Sequence, residues 1–548
     1  MRLDSVAVLG GGPGGLYTAR LLKLAHPEAK VAVHEQSAPE KTFGFGVAVA
    51  GRTQRNLEAA DSATQADIIA AGRPHDMRML IGDQDARVQN GALTGIARPQ
   101  LLEVLSKHAE AAGVELHYGR RKRLEDLHAE LVVVSDGVNS RTRTEHAEDF
   151  GAHIEVAEGF YLWAAADFAL DTAIFTPVTT PHGTFVTHAY PYAPDRSTFL
   201  FETDEATWRA AGFDVTTAAT AQDASDTSAL SYLETAFAEH LDGHRLIGNR
   251  TRWLRFRTVR CDRWTRGNTV LLGDAAHTAH YSIGSGTKLA MEDAIALRDA
   301  VAGADDLPTA LANYERTRRP QVERLQELAR RSRLWWGSFP RRTQLPVDQL
   351  MIAYMTRAGN VALQRFAGTN PEITRRGLAQ FAELEPESAP TEGVVEWVLS
   401  RPLQRGDRQW PNRLLVATQR ESLSAPAPVE AVPPPTDAGL ARVDVSLGDP
   451  WSEEGDALVK RLNDLVLAGW QGFWLTGEAD RGSVLTRLDV GERLRTETNG
   501  LVVADGPATL TDELAAGVAA GRVDLVCPLE PLPDRTPTPR DTSVKCSA

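Results

Sequence analysis

"SVAVLGGGPGGLYTARLLKLAHPEAKVAVHEQ", residues 5–36, decides the first domain. A short apolar run enters a glycine-rich turn, a helix-patterned stretch follows, and a second apolar run ends at Glu35. This is strand, helix, strand. Gly10, Gly12 and Gly15 give GxGxxG at the strand-to-helix turn, with Gly14 beside them. Missing side chains there let a pyrophosphate approach the helix N-terminus, where unpaired N–H groups and the helix dipole favour negative charge. Glu35 lies twenty residues beyond Gly15, where a carboxylate accepts hydrogen bonds from an adenosine ribose. The alternative is a plain tight turn with a solvated acid. The strand–helix–strand setting favours a dinucleotide.

The chain has 548 residues, enough for two to four domains. A formal net charge of −14 argues against nonspecific nucleic-acid binding. The three cysteines, Cys261, Cys527 and Cys546, are far apart, so neither a disulfide framework nor a thiolate metal site is expected. No metal site is expected at all. Neither a signal-peptide core nor an apolar run of membrane-spanning length occurs. The expectation is a cytoplasmic protein with no nucleic-acid or membrane partner.

The fold class expected is α/β: a Rossmann-like domain at 1–150, interrupted by an antiparallel β-sheet substrate domain at 151–262, and resumed at 263–335. A helical segment at 336–400 and a C-terminal domain at 401–548 complete it. Alternating segments such as "GTFVTHAYPY" and "STFLFETD" mark the sheet domain. "LSAPAPVEAVPPPTDAG", 423–439, has the composition of a flexible linker, and the last residues that of a loose tail.

Two further stretches specify the dinucleotide. "LVVVSDGVNSRTR", 131–143, places Asp136 after a buried strand. "LLGDAAHTAHYSIGSGTKLAMEDAIAL", 271–297, places Gly273 and Asp274 likewise and then runs through Gly284, Ser285, Gly286 and Thr287 into a helix. With the N-terminal turn, these resemble the three signatures of FAD-dependent monooxygenases similar to 4-hydroxybenzoate hydroxylase, over about the first 330 residues. The resemblance implies FAD, with Asp274 at its ribitol and the helix after Gly286 aimed at the flavin pyrimidine edge. "GIARPQLLEVLSKHAEAAGV", 95–114, matches the family's Arg-x-x-Leu helix and adds Arg98. It also implies NAD(P)H and O2 as co-substrates and oxygen transfer through a flavin C4a-(hydro)peroxide, shielded from water.

Most members have Pro where this chain has Tyr281 and Asn where it has Lys288. The 271–297 stretch, "KTFGFGVAV" (41–49) and "PHGTFVTHAYPYAPDRSTFLFETDEATWRAAGFD" (181–214) instead resemble the salicylyl-CoA 5-hydroxylase and 2-aminobenzoyl-CoA monooxygenase group. That implies a ring carried as an acyl-CoA thioester, with hydroxylation or epoxidation of the ring. Phe45 and Gly46 would lie along the flavin, and His188, Tyr190, Tyr192, His280 and Tyr281 around the ring, where His188, Tyr190, His280 and Tyr281 are the catalytic candidates. The same residues also suit ordinary half-buried sheet packing. Arg120, Arg121, Lys122 and Arg123 form a cationic run suited to CoA phosphates or to a solvated turn. His277 is expected to be a structural hydrogen bonder beside Asp274.

"LQRGDRQWPNRLLVAT" (403–418) and "TNGLVVADGPATLTDELAAGVAAGRVDLVCPLEP" (498–531) resemble the entry and exit of the old-yellow-enzyme (β/α)8 barrel. Too few residues lie between them for a barrel of about 250. A degenerate, non-catalytic remnant is expected. Other readings stay open: a tropone- or tropolone-pathway dioxygenase that cleaves the CoA ester by oxygenolysis, a hydroxylase of free phenol or polyketide rings, and a non-catalytic flavin-binding sensor. A homodimer and an external flavin reductase stay open as partners.

Overall fold

The computed structural model describes residues 1–38, 44–49, 51–89, 93–284, 286–406, 408–435 and 439–529. The chain forms two compact units, Met1–Val347 and Asp348–Ala548.

The first unit is built on a six-stranded sheet in the order Thr265–Arg266, Thr269–Leu271, Leu131–Val134, Ser5–Leu9, Lys30–His34, Glu115–His117. All neighbours are parallel except the first pair, a hairpin. Parallel sheets are covered on both faces, and Leu131–Val134 is accordingly buried at every residue. Helix Pro13–Ala25 starts with proline at its first position and buries Leu16, Tyr17, Leu21 and Leu22 against this sheet and helix Gly286–Ala302. Interrupted and resumed strands therefore meet in one sheet.

The second sheet runs Leu246–Ile247, Ala152–Ala166, Arg196–Thr203, Gly183–Ala193, Ala173–Thr180, Met77–Ile81, Gln84–Val88, with Leu254–Cys261 also on Ala152–Ala166. Residues 77–88 correct the expected boundary at 150: this hairpin leaves the nucleotide-binding segment and pairs Met77 with Ala173. Register divides the residues between two faces. Phe160, Leu162, Phe199 and Phe201 point into a core closed by Trp208, Phe213, Leu230, Leu233 and Phe237 from helices after the last long strand. The opposite face carries the register partners Tyr161–Glu202–Val186, Trp163–Leu200–His188 and Ala165–Thr198–Tyr190. That face meets the short sheet of Gly46–Val49, Thr94–Ala97 and Arg73–Pro74. Helix Leu307–Gly337 ends in Trp335 and Trp336, and Trp336 stacks on Phe175 at 5.1 Å.

The second unit holds helices Leu363–Thr369, Pro371–Ala382 and Val394–Leu399, so the expected helical segment shares one unit with the C-terminal sheet. That sheet has five parallel strands in chain order: Ser424–Pro426, Leu440–Asp444, Gly472–Thr476, Leu501–Pro507 and Leu525–Leu529. Residues 424–426 correct the linker expectation. A proline is tolerated there because this strand lies at the sheet edge. No helix among the described residues is long and apolar enough to cross a membrane. Cys546 and the tail from 530 lie outside the described residues.

Candidate flavin site

The nucleotide turn needs its glycines for specific steric reasons. Gly10 has φ +106°, and a Cβ there would sit 2.4 Å from the Ser135 carbonyl oxygen. A Cβ on Gly15 would stand 2.1 Å from the Gly10 carbonyl oxygen. One on Gly14 would meet Leu272 at 2.8 Å and Ala290 at 2.9 Å, so this glycine lets two helices and the Asp274 turn approach closely. Gly12 has open space around it, on the side where the helix N-terminus is free. Glu35 is held at the second strand end by N–H donation from Gly11 and Ser37, each at 2.8 Å.

Three charged side chains, Asp136, Asp274 and Arg98, keep bonding capacity unused among the described residues. Asp136 accepts from the Arg141 N–H at 3.1 Å through one oxygen, while its other oxygen is buried without a partner among the described residues. Asp274 is exposed to solvent, and its carboxylate has no hydrogen-bond donor among the described residues. Desolvation raises both carboxyls above their ordinary range. Arg98 opens helix Arg98–Ala111; its backbone N–H donates to the Phe45 carbonyl at 2.8 Å, while its guanidinium has no hydrogen-bond partner among the described residues. Burial weakens its hold on the proton, and Asp274 opposes that effect. Buried polar groups rarely stay unpaired. These atoms suit the hydroxyls and anionic edge of a flavin nucleotide.

The Asp274 turn is fixed from behind. Asp293, fully buried on helix Gly286–Ala302, accepts from the Gly273 N–H at 3.0 Å and from Arg318 Nε at 2.6 Å, and pairs with His277 Nε2 at 2.7 Å. His277 is thus a structural partner of Asp293. Gly284 has φ +60°, and both it and Gly286 face open space. Thr287 lies in the first turn of helix Gly286–Ala302. Ser285 lies outside the described residues, as do 41–43 of the "KTFGFGVAV" stretch.

The ring candidates divide by environment. Tyr190 donates its hydroxyl to the Gly46 carbonyl at 2.8 Å, and the Gly46 N–H donates to Thr198 Oγ1 at 3.0 Å. A Cβ on Gly46 would sit 2.6 Å from Tyr192 Cβ. Tyr190 and Tyr192 therefore seat the Phe45–Gly46 loop on the sheet. His188 stacks on Phe175 at 4.1 Å. His280 and Tyr281 are adjacent rings, 4.0 Å apart, with Phe256 at 4.9 Å from His280 and Tyr161 at 5.0 Å from Tyr281. Burial holds His280 neutral and raises the Tyr281 hydroxyl well above its usual range. Arg120–Arg123 lie in an irregular segment after strand Glu115–His117, with the Arg120 N–H on the Glu35 carbonyl at 3.3 Å.

Sequence reasoning missed Asp293, Arg318 and Glu202. Glu202 faces the aromatic side of the sheet across from Tyr161, and burial pushes its carboxyl up to about 8. Because its folded value exceeds its unfolded one, protonated Glu202 stabilises fully below the ordinary carboxyl range, and that contribution is lost as pH rises towards about 8. Glu202→Gln is therefore expected to raise Tm relative to wild type in mildly alkaline buffer and to match it in acid. Thermal melts across pH check this; an equal shift at every pH would contradict it.

A family model described as "FAD binding domain" matches residues 4–329. The chain belongs to this family, is a flavoprotein oxidoreductase, and uses FAD. Among curated relatives, a salicyloyl-CoA 5-hydroxylase of Streptomyces sp is 44% identical over 342 residues, covering 61% of this chain and 66% of the relative, just under two thirds of its length. A 3-hydroxy-4-methyl-anthranilyl-[aryl-carrier protein] 5-monooxygenase of Streptosporangium sibiricum is 35% identical over 363 residues, covering 66% of this chain and 96% of the relative. Among solved structures, 2-methyl-3-hydroxypyridine-5-carboxylic acid oxygenase is similar in fold, with TM-score 0.51 at 20% identity, covering 65% of this chain and 96% of that one.

Proposed function

We propose that this chain is an FAD-dependent oxygenase that inserts oxygen into the ring of an aromatic acyl group carried as a thioester, with CoA as the carrier and NAD(P)H and O2 as co-substrates. The observation that carries the reading is an aromatic cluster, Tyr161 and Phe256 on the sheet with His280 and Tyr281 on the loop before helix Gly286–Ala302, in the same unit as Asp136, Arg98 and Asp274. FAD, when bound, supplies electron transfer and oxygen activation. The protein's own residues hold it and position the ring. Asp274 and Asp136 offer acceptors to ribitol hydroxyls, Arg98 offers a cation, and the Gly284–Gly286 turn offers backbone donors. Thioester carriage is supported by the two curated relatives, whose names specify a CoA ester and an aryl-carrier protein.

For the second unit we infer a barrel remnant, supported by five parallel strands in chain order with helices between the later ones. Two buried carboxylates of this unit are held by ion pairs: Asp505 on its strand with Arg487 at 2.8 Å, and Asp524, just before the last strand, with Arg405 at 2.9 Å and Arg495 at 3.0 Å. These pairs favour a structural role.

Asp274→Ala is expected to lower FAD affinity by about 10- to 100-fold, the worth of a charge-assisted hydrogen bond. Flavin content after gel filtration and fluorescence titration of apoprotein measure it. For the reaction, reduced holoprotein mixed with O2 and either salicyloyl-CoA or free salicylate tests the thioester. Oxygenated product from the thioester alone supports the proposal. Equal turnover of the free acid would overturn it.

A further inference from the structure

Strand Arg196–Thr203 places Thr198, Leu200 and Glu202 on the face that looks towards the flavin loop, and Phe199 and Phe201 on the core side. A carboxyl at the third of these positions is out of character with its surroundings. Across the register it faces Tyr161, whose ring lies 5.0 Å from Tyr281, and its other register partner is Val186. The Tyr281 hydroxyl interacts electrostatically with the Glu202 carboxyl. No arginine or lysine is ion-paired to Glu202 among the described residues, in contrast with Glu205, three residues along, which holds Arg209 and Arg255.

The titratable groups facing this spot are few. Tyr161 lies on the paired strand, Tyr281 and His280 on the loop before helix Gly286–Ala302, and His188 diagonally on the next strand. Arg333 of helix Leu307–Gly337 acts on both loop residues and is itself paired with Glu155 at 3.2 Å. Neutral His280 and the two raised tyrosines are poor bases here, so Glu202 is the group able to exchange a proton near neutrality. A proton acceptor works best when its affinity lies close to the working pH.

We propose that Glu202, with Tyr281 beside it, accepts the proton or hydrogen bond of a hydroxyl or amino substituent on the bound ring, and so selects substituted over unsubstituted aryl thioesters. This rests on the function proposed above. For a hydroxylated ring, the ring O–H bond breaks, the proton adds to the Glu202 carboxylate, and the electron pair stays on the ring oxygen. The ring becomes electron-rich, as oxygen insertion requires, with no oxidant consumed in the step. The Tyr281 hydroxyl acts on the carboxyl electrostatically. Its phenol stays intact.

The test uses full-length holoprotein, titrated with salicyloyl-CoA and with benzoyl-CoA across the neutral to mildly alkaline range. Binding is read from the flavin difference spectrum and ring ionisation from the phenolate band. Wild type is expected to bind the hydroxylated ring in a pH-dependent way and to show the phenolate band. Glu202→Gln, isosteric and expected to fold, is expected to weaken salicyloyl-CoA by about 10- to 100-fold, the range for a hydrogen bond to a charged group, and to abolish the band. Benzoyl-CoA affinity is expected to stay within about twofold, since it makes no such bond. Glu202→Asp should restore part of the pH response, and Tyr281→Phe should move its midpoint. Equal weakening of both thioesters, or no weakening of either, would overturn the proposal while leaving thioester oxygenation intact. If wild type binds neither thioester, the functional reading falls and this inference with it.

Discussion

Gly15→Ala is expected to give a colourless protein that cannot be loaded with FAD. Its Cβ would stand 2.1 Å from the Gly10 carbonyl oxygen and 2.5 Å from Ser135 Oγ, and the first of these is backbone. Relief requires moving either the strand end at Leu9 or the start of helix Pro13–Ala25, and both belong to the buried core. Overpacking costs about 1–3 kcal/mol even where side chains can adjust. Here the adjustment falls on the turn whose N–H groups would meet the pyrophosphate. The expected result is loss of FAD binding by more than about 100-fold, which corresponds to roughly 2.7 kcal/mol. Gly12→Ala is the internal control, because its Cβ meets nothing within 4 Å in the protein and so disturbs only the ligand side. It should leave the apoprotein melting temperature unchanged. Differential scanning fluorimetry of both apoproteins and equilibrium FAD titration separate the two effects.

Asp293→Ala is expected to destabilise the first unit by about 3–5 kcal/mol, the usual result of stranding a buried charge. Asp293 is fully buried, and Arg318, with its side chain 4% exposed, keeps among the described residues only the Leu289 carbonyl, Gln321 and the more distant Glu292 when it is removed. The Gly273 N–H and His277 Nε2 lose their acceptor as well. The turn bearing Asp274 is then free to rotate, so FAD should be lost along with stability. Asp293→Asn keeps the volume but removes the charge, and should fall between the alanine variant and wild type. Urea unfolding followed by tryptophan fluorescence reads the stability change, and flavin stoichiometry reads the site. An Asp293→Ala protein that keeps both would show that the Arg318 network does not position the flavin turn.

The nucleotide turn was legible because its requirements are local. Gly10, Gly14 and Gly15 are each demanded by a backbone angle or a close approach that only a residue without Cβ satisfies. The positions of Asp136 and Asp274 just after strand ends were legible because each follows an apolar run that the sheet buries completely. Residues whose role depends on distant partners were harder to find. Asp293 reads as one of several acids on an ordinary helix face, and its network needs Arg318, twenty-five residues away on another helix. Glu202 sits next to Asp204, whose carboxylate caps helix Glu205–Ala210 at 2.7 Å from the Thr207 N–H, so "ETDE" reads as a polar turn. Only the register with Tyr161 reveals that Glu202 faces inward. The hairpin at 77–88 was missed for the same reason, since its pairing partner lies almost a hundred residues downstream at Ala173. The edge strand Ser424–Pro426 was masked by composition: proline-rich sequence suggests a linker, but an edge strand needs ladder bonds on one side only.

The central claim is that the first unit holds one FAD and directs oxygen into the ring of a thioester-bound aromatic acid. The most direct measurement is mass spectrometry of the product after anaerobically reduced holoprotein meets isotopically labelled O2 and salicyloyl-CoA. A ring product carrying label from O2 is expected, with one labelled atom per ring and the thioester intact. Unlabelled product, label found only on a free acid released from CoA, or flavin reoxidation that leaves the ring untouched would contradict it.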